Sequence, residues 1–184
     1  MFQLDGFPRR FVATVDNLGQ PAAPPRVWPL NPASGRFETT ARGEDVQAIA
    51  AKNAERYAPY VQMIDTVDLR EVASAYKRLY PEFQQAYADL GYPNGYFNDR
   101  LVQVLDHLIA TPEPKGPLAV HLPPISGPIK PARPWVLYEF DDPALQSLSA
   151  GQRILIRMGP TQERRVKARL AEFRKLVTAG RTPQ

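Results

Sequence analysis

Apolar residues recur at helical spacing through the second half of the chain. At 100° per residue, Leu101, Val102, Val104, Leu105, Leu108 and Ile109 fill one half of a helical wheel. Asp99, Arg100, Gln103, Asp106 and His107 fill the other half. The division predicts a helix capped by Asn98 or Asp99 and ending near Ala110, packed on one side and wet on the other.

The same period runs elsewhere. Phe11, Val12 and Val15 give a short helix over Pro8–Leu18 an apolar face, with Gly19 as its stop. Asn53 reads as the N-cap of a helix carrying Tyr57, Tyr60, Val61 and Ile64. Asp68, with Glu71 three residues on, opens a helix whose stripe is Val72, Tyr76, Leu79, Phe83, Ala86, Tyr87 and Leu90. Pro81 interrupts that stripe, and because the phase is kept across it, a kink is expected there rather than a break. Gly91–Gly95 is a turn. Ser149 to Gln152 is a capping box ahead of Ile154, Leu155, Ile156 and Met158, and Gly159-Pro160 ends that helix. A last helix spans about Thr161 to Thr178, with Val166, Leu170, Phe173 and Val177 on one stripe.

Strand patterning is sparser. Phe37–Thr40 and Val46–Ile49 flank a turn near Gly43-Glu44-Asp45 and read as a hairpin. Leu118–His121 is a short strand, and Trp135–Phe140 alternates like another. Asp142-Pro143 is an N-cap followed by proline at the first helical position. Twenty prolines in 184 residues are about twice ordinary usage. They concentrate in arms at 20–32 and 111–134, which are expected to run extended over the surface. The expected fold is mainly α: a single domain, 1–184, built as a compact helical bundle with a small hairpin or strand element and two proline-rich arms.

Composition narrows the chemistry. No cysteine is present, which removes disulfides and thiolate catalysis. No apolar run approaches the ~18 residues that cross a bilayer. The opening Phe2–Phe7 reads as the edge of a domain rather than a leader, as in a fragment of a longer protein. From Ala150 onward nine Lys/Arg face two acids, so the last stretch carries +7 and the first 149 residues −3. That asymmetry points either to an anionic partner or to a tail drawn onto its own body.

Tyr76-Lys77-Arg78-Leu79-Tyr80-Pro81-Glu82-Phe83-Gln84-Gln85-Ala86-Tyr87 is followed by Leu90-Gly91-Tyr92-Pro93 and Tyr96-Phe97-Asn98-Asp99-Arg100-Leu101. With Thr14–Leu18, Arg56-Tyr57, Leu137–Phe140, Leu148–Gln152 and Arg157–Pro160, these segments resemble a bacterial family called domain of unknown function 3014. The resemblance covers nearly the whole chain. It implies an envelope protein of Gram-negative bacteria, with an N-terminal membrane span, a low-complexity linker and then this domain on the periplasmic face of the inner membrane. It supplies no catalytic residues.

Three surfaces are candidates. The first is Tyr92, Tyr96, Asp99, Arg100, Gln103 and His107, a turn and a wet helix face suited to an envelope protein or a cell-wall component. Tyr76, Phe83 and Tyr87 are core by their spacing. The second is a basic surface, Arg164, Arg165, Lys167, Arg174 and Lys175, suited to anionic lipid unless its apolar stripe is docked. The third is a pair of carboxylates among Asp99, Asp106 and Glu82, which is what hydrolysis of a glycan or peptidoglycan would need. No phosphate loop, dinucleotide fingerprint, His-Glu-x-x-His motif or nucleophile elbow appears, so no cofactor and no metal is expected. Nucleic acid is disfavoured because no recognition motif accompanies the basic residues. The expected role is a non-enzymatic interaction domain.

Overall fold

The computed structural model of the chain describes residues 3–43, 46–124 and 131–179. Among these the fold is mainly α, with eight helices and one four-stranded antiparallel sheet.

Helix α5, Phe97–Ile109, lies at the centre of the helical part. It buries Phe97, Leu101, Val104, Leu105 and Leu108, the face predicted by the wheel. Each leucine removed from water in this way contributes about 1.5–3 kcal/mol. Helices α1, Phe7–Leu18, and α8, Pro160–Thr178, pack against α5. Helices α2, Asn53–Thr66, and α3, Leu69–Arg78, pack on α8, while α4, Tyr80–Asp89, packs on α1. An aromatic cluster fills the space between them, with ring centroids of Phe11 and Phe83 4.9 Å apart, Tyr76 and Phe83 5.6 Å, and Tyr87 and Phe97 5.7 Å.

Helix α7, Ala150–Arg157, starts at the predicted capping box, with Ser149 Oγ accepting from Gln152 N and Gln152 Oε1 accepting from Ser149 N. Gly151 packs tightly against both α5 and the end of α1. A Cβ there would stand 2.5 Å from Leu108 Cδ2 and 2.8 Å from the Leu18 carbonyl oxygen. The short α6, Pro143–Gln146, is capped by Asp142 as its sequence suggests.

The sheet has the order β1, Thr39–Ala41; β2, Gln47–Ile49; β3, Ala119–His121; β4, Glu139–Phe140. Thr40 pairs with Ala48, Ala48 with Ala119, and Val120 with Phe140. Val120, Phe140 and Ile156 form a second apolar cluster that joins the sheet to α7, with Phe37, Ile49 and Tyr138 packed around it. The hairpin expectation holds; Glu44 and Asp45, assigned to its turn, lie outside the described residues. The arms include short structured pieces, a 3-10 turn at Pro25–Val27 and strand β3.

Four local expectations are corrected. Pro81 does not kink one helix: α3 ends at Arg78 and α4 restarts at Tyr80, with the proline in the first turn of the new helix. Its ring can take that place without removing an intrahelical bond. Asn53 is not a cap. It is the first residue of α2 and is buried, and its side chain bonds the Glu38 backbone at 3.0 Å and 2.6 Å, tying β1 to the helix. Helix α5 begins one residue before Asn98. Gln84 Oε1 accepts from Phe97 N at 2.9 Å, and Asn98 Oδ1 accepts from the Tyr76 hydroxyl at 3.0 Å. Trp135–Phe140 is not one strand, because Pro134 opens a 3-10 turn over Pro134–Val136 and only Glu139–Phe140 pairs.

Candidate functional site

Helix α5 presents its polar face as expected at Asp99, Gln103, Asp106 and His107, all exposed. Arg100 is the exception. Its guanidinium turns inward, donating from Nε to Asp16 Oδ1 at 2.7 Å, from Nη2 to the Asp16 carbonyl at 3.0 Å and from Nη1 to Gln103 Oε1 at 2.7 Å. Both side chains of the Arg100–Asp16 pair are mostly buried. Arg100 therefore holds α5 to α1, with Gln103 as its accessory, and is not a free cation on the wet face. A buried Asp16 is the cause, since an uncompensated carboxylate between two helices is costly. Tyr92 and Tyr96 are exposed, although Tyr92 also stacks on Tyr87 at 4.7 Å.

The basic face of α8 is largely drawn onto the body. Arg165 donates to Asp65, and Arg174 makes a two-pronged contact with Asp106, one bond at 2.9 Å. Lys167 Nζ donates to the Thr111 carbonyl and to Glu113 Oε1, both at 2.8 Å. Arg164 stands 3.7 Å from Glu113. Lys175 is exposed and has no ion pair among the described residues. Val166 and Val177 are buried, with Leu170 and Phe173 packed on the same core. Of the acids considered for hydrolysis, Glu82, Asp99 and Asp106 are all exposed, and Asp106 is engaged by Arg174. No three His, Asp or Glu gather to hold a metal ion among the described residues.

A site not read from the sequence lies between the sheet and the α7–α8 corner. It is a cleft of about 780 Å³, within the usual range for small-molecule sites. One wall is β1 and β2 with the start of α2, through Thr40, Ala48, Ile49 and Ala54. A second is the strap Glu113–Leu118, and a third is Ile156, Arg157, Gly159, Pro160, Glu163 and Arg164. Gly159 makes the corner at φ 84°, a left-handed value that favours glycine.

Two polar side chains of this cleft have a buried atom without a partner, Arg157 Nε and Glu163 Oε1. Arg157 is held by Nη2, which donates to the Tyr138 carbonyl at 2.6 Å, and by the Phe140 and Phe37 rings at 5.0 and 6.0 Å. Burial, then nearby Arg153, holds its pKa below the ordinary arginine value. Glu163 is 2 % exposed, among the most deeply buried side chains described. Lys167, one turn on, forms an ion pair with Oε1 at 3.7 Å, too long for a hydrogen bond. Burial raises the Glu163 pKa above the ordinary carboxylate value, with attraction to Lys167 opposing. Glu113 moves the opposite way, held low chiefly by the hydrogen bond from Lys167.

Native proteins rarely leave buried polar atoms unmatched, and those that remain call for a specific cause. The sequence concealed these two because each sits where a charge is ordinary. Arg157 occupies the last turn of a helix and Glu163 the first turn of the next, where both suit the helix dipole. Only the tertiary fold brings the strap and the sheet over them.

A family model described as Protein of unknown function (DUF3014) matches residues 7–174. The chain belongs to that family. This DUF3014 member matches no curated protein and no solved structure. The match spans every element that lines the cleft, from β1 to Arg164. No helix of this DUF3014 member, among the described residues, is long and apolar enough to cross a membrane.

Proposed function

We propose that this chain is a non-enzymatic binding domain of a bacterial cell-envelope protein, and that its ligand seats in the cleft between the sheet and the α7–α8 corner. The observation that carries the reading is that two residues lining one concavity, Arg157 and Glu163, each keep a buried polar atom, Nε and Oε1, without a hydrogen-bond partner. Arg100 serves the fold instead, so the Tyr92–Arg100 turn keeps exposed rings but loses its cation as a recognition group. The envelope setting, with an N-terminal anchor holding the domain at the periplasmic face, rests on the resemblance to the family. Lipid attachment through α8 has less support, since Arg165, Lys167 and Arg174 are already matched by acids of the domain.

Titration of the ¹⁵N-labelled domain with N-acetylleucine, a small probe with an apolar body and a carboxylate, tests the binding reading. Shifts should cluster at the amides of Ala48, Ile49, Leu118 and Ile156. In Ala54→Trp, which fills the cleft, they should vanish. Shifts that survive that substitution, or that scatter over the surface, contradict it.

A second reading has one observation in its favour. Glu113 and Glu163 share the Lys167 ammonium at 2.8 and 3.7 Å, and their proton affinities are driven apart. Two nearby carboxyls so divided suit acid–base hydrolysis of a glycan. Release of reducing ends from purified peptidoglycan, lost in Glu163→Gln, would establish this reading; no release by the wild-type chain would remove it.

A further inference from the structure

The cleft's own walls describe what fits it. Among the described residues its cations are Arg42, Lys115, Arg157 and Arg164, and its acids are Glu113 and Glu163. Glu113 is already engaged by Lys167 and faced by Arg164, so its charge is answered within the protein. Arg42 and Lys115 are exposed at the rim and have no ion pair among the described residues. Between rim and floor the surface is aliphatic, through Ala48, Ile49, Ala54, Leu118 and Ile156. A concave, largely apolar site with cations at its mouth and low-dielectric walls concentrates anions.

Glu163 adds a second requirement. Its Oε1 is buried in a residue that lines the cleft, has no hydrogen-bond partner, and meets only the Lys167 ammonium, at ion-pair distance, 3.7 Å. A ligand that is only an anion leaves that atom desolvated and unmatched, which is costly. A ligand cation is opposed by the surplus of positive groups among the described lining residues. The group that answers Glu163 is therefore a neutral N–H or O–H on a molecule whose charge lies elsewhere.

Resting on the binding reading above, we infer that the cleft takes a small organic carboxylate with an aliphatic body and one neutral hydrogen-bond donor. The carboxylate meets Arg42, Lys115 and Arg164 at the rim, the body lies on Ile49 and Ile156, and the donor reaches Glu163 Oε1. Arg157 Nε, buried in a second lining residue and without a hydrogen-bond partner, is the donor assigned to the ligand's acceptor.

Three probes separate the parts of this inference. N-acetylleucine carries the carboxylate, the body and an amide N–H. N-acetylleucinamide lacks the charge, and N-acetyl-N-methylleucine lacks that N–H. Affinities come from ¹⁵N–¹H titrations of the purified chain. The acid should bind about tenfold more tightly than the amide, the scale of one good charge contact. In the doubly substituted Lys115→Gln, Arg164→Gln chain, whose altered side chains are exposed, that advantage should fall away, so that acid and amide bind alike. N-methylation should weaken binding about tenfold in the wild type and not at all in Glu163→Leu.

The outcomes are distinct. If none of the three probes shifts cleft amides, the binding reading and the inference fall together. If the uncharged amide binds as well as the acid, or the rim substitutions change nothing, the cleft remains a binding site but its preference for an anion is overturned. If N-methylation costs nothing in the wild type, the role given to Glu163 is overturned while the anion preference stands.

Discussion

Arg100 and Asp16 form a largely buried ion pair, Nε to Oδ1 at 2.7 Å, that joins α5 to α1 across 84 residues of sequence. A second bond from Nη2 to the Asp16 carbonyl fixes the guanidinium in place. Breaking one side of such a pair leaves the other charge buried and alone. Asp16→Ala should therefore lower stability by about 3 kcal/mol in urea unfolding. The double substitution Asp16→Leu, Arg100→Met should cost less than Asp16→Ala, because no stranded cation remains. Equal losses in the two chains would show that packing, not charge, governs this contact.

Gly151 tests the helix contact next to that pair. In an exposed helix, glycine to alanine is stabilising by about 1 kcal/mol. Here the added methyl would meet Leu108 Cδ2 and the Leu18 carbonyl at 2.5 and 2.8 Å, the second of them backbone that cannot rotate away. Gly151→Ala should destabilise by about 1–3 kcal/mol, the usual range for overfilling a packed contact. A thermal midpoint at or above that of the wild type would contradict the close approach of α7 and α1.

The hydrophobic face of α5, the Ser149 capping box and the hairpin were all readable in advance, because each is specified by residues within a few positions of one another. Pro81 was harder. An apolar stripe that keeps phase is compatible with a bent helix or with two helices end to end, and only the packing of α4 on α1 distinguishes them. Asn53 had the right side chain for a cap, but a partner at Glu38, distant in sequence, competes for it. The helical wheel puts Arg100 on the wet face, but Asp16 on another helix draws it inward. The cleft was hidden for the same reason: Arg157 and Glu163 gain their significance from the sheet and the strap, not from their neighbours in sequence.

Glu163 should make stability depend on pH in a definite direction. Burial raises its pKa in the folded chain above the ordinary 4.5, with Lys167 and Arg164 opposing and Glu113 reinforcing the rise. The folded state then binds more protons than the unfolded state, so stability falls as pH climbs from the ordinary glutamate range through the raised value. Glu163→Gln, which keeps the shape and carries no charge, should flatten that fall and be relatively more stable at neutral pH. Glu113, shifted downward, acts in the opposite sense at lower pH. Urea unfolding of both chains across this range measures the difference. A parallel pH dependence in the two would show that Glu163 titrates as an exposed acid does.

Surface pairing along α8 should be weak and salt-sensitive. Arg165–Asp65 and Arg174–Asp106 are partly exposed, and pairs of this kind contribute less than about 1 kcal/mol. A double-mutant cycle on Arg174 and Asp106 should give a coupling of that size that shrinks in high salt. A larger, salt-independent coupling would mean the pair is shielded from solvent.

The central claim is that Arg157 Nε and Glu163 Oε1, buried without hydrogen-bond partners in residues that line the cleft, are matched by a ligand seated there. A high-resolution crystal structure of the chain grown with N-acetylleucine examines it most directly. The account predicts the probe's density in the cleft, with polar atoms within hydrogen-bond distance of Arg157 Nε and Glu163 Oε1. An empty cleft in which both atoms have found partners within the protein would contradict it.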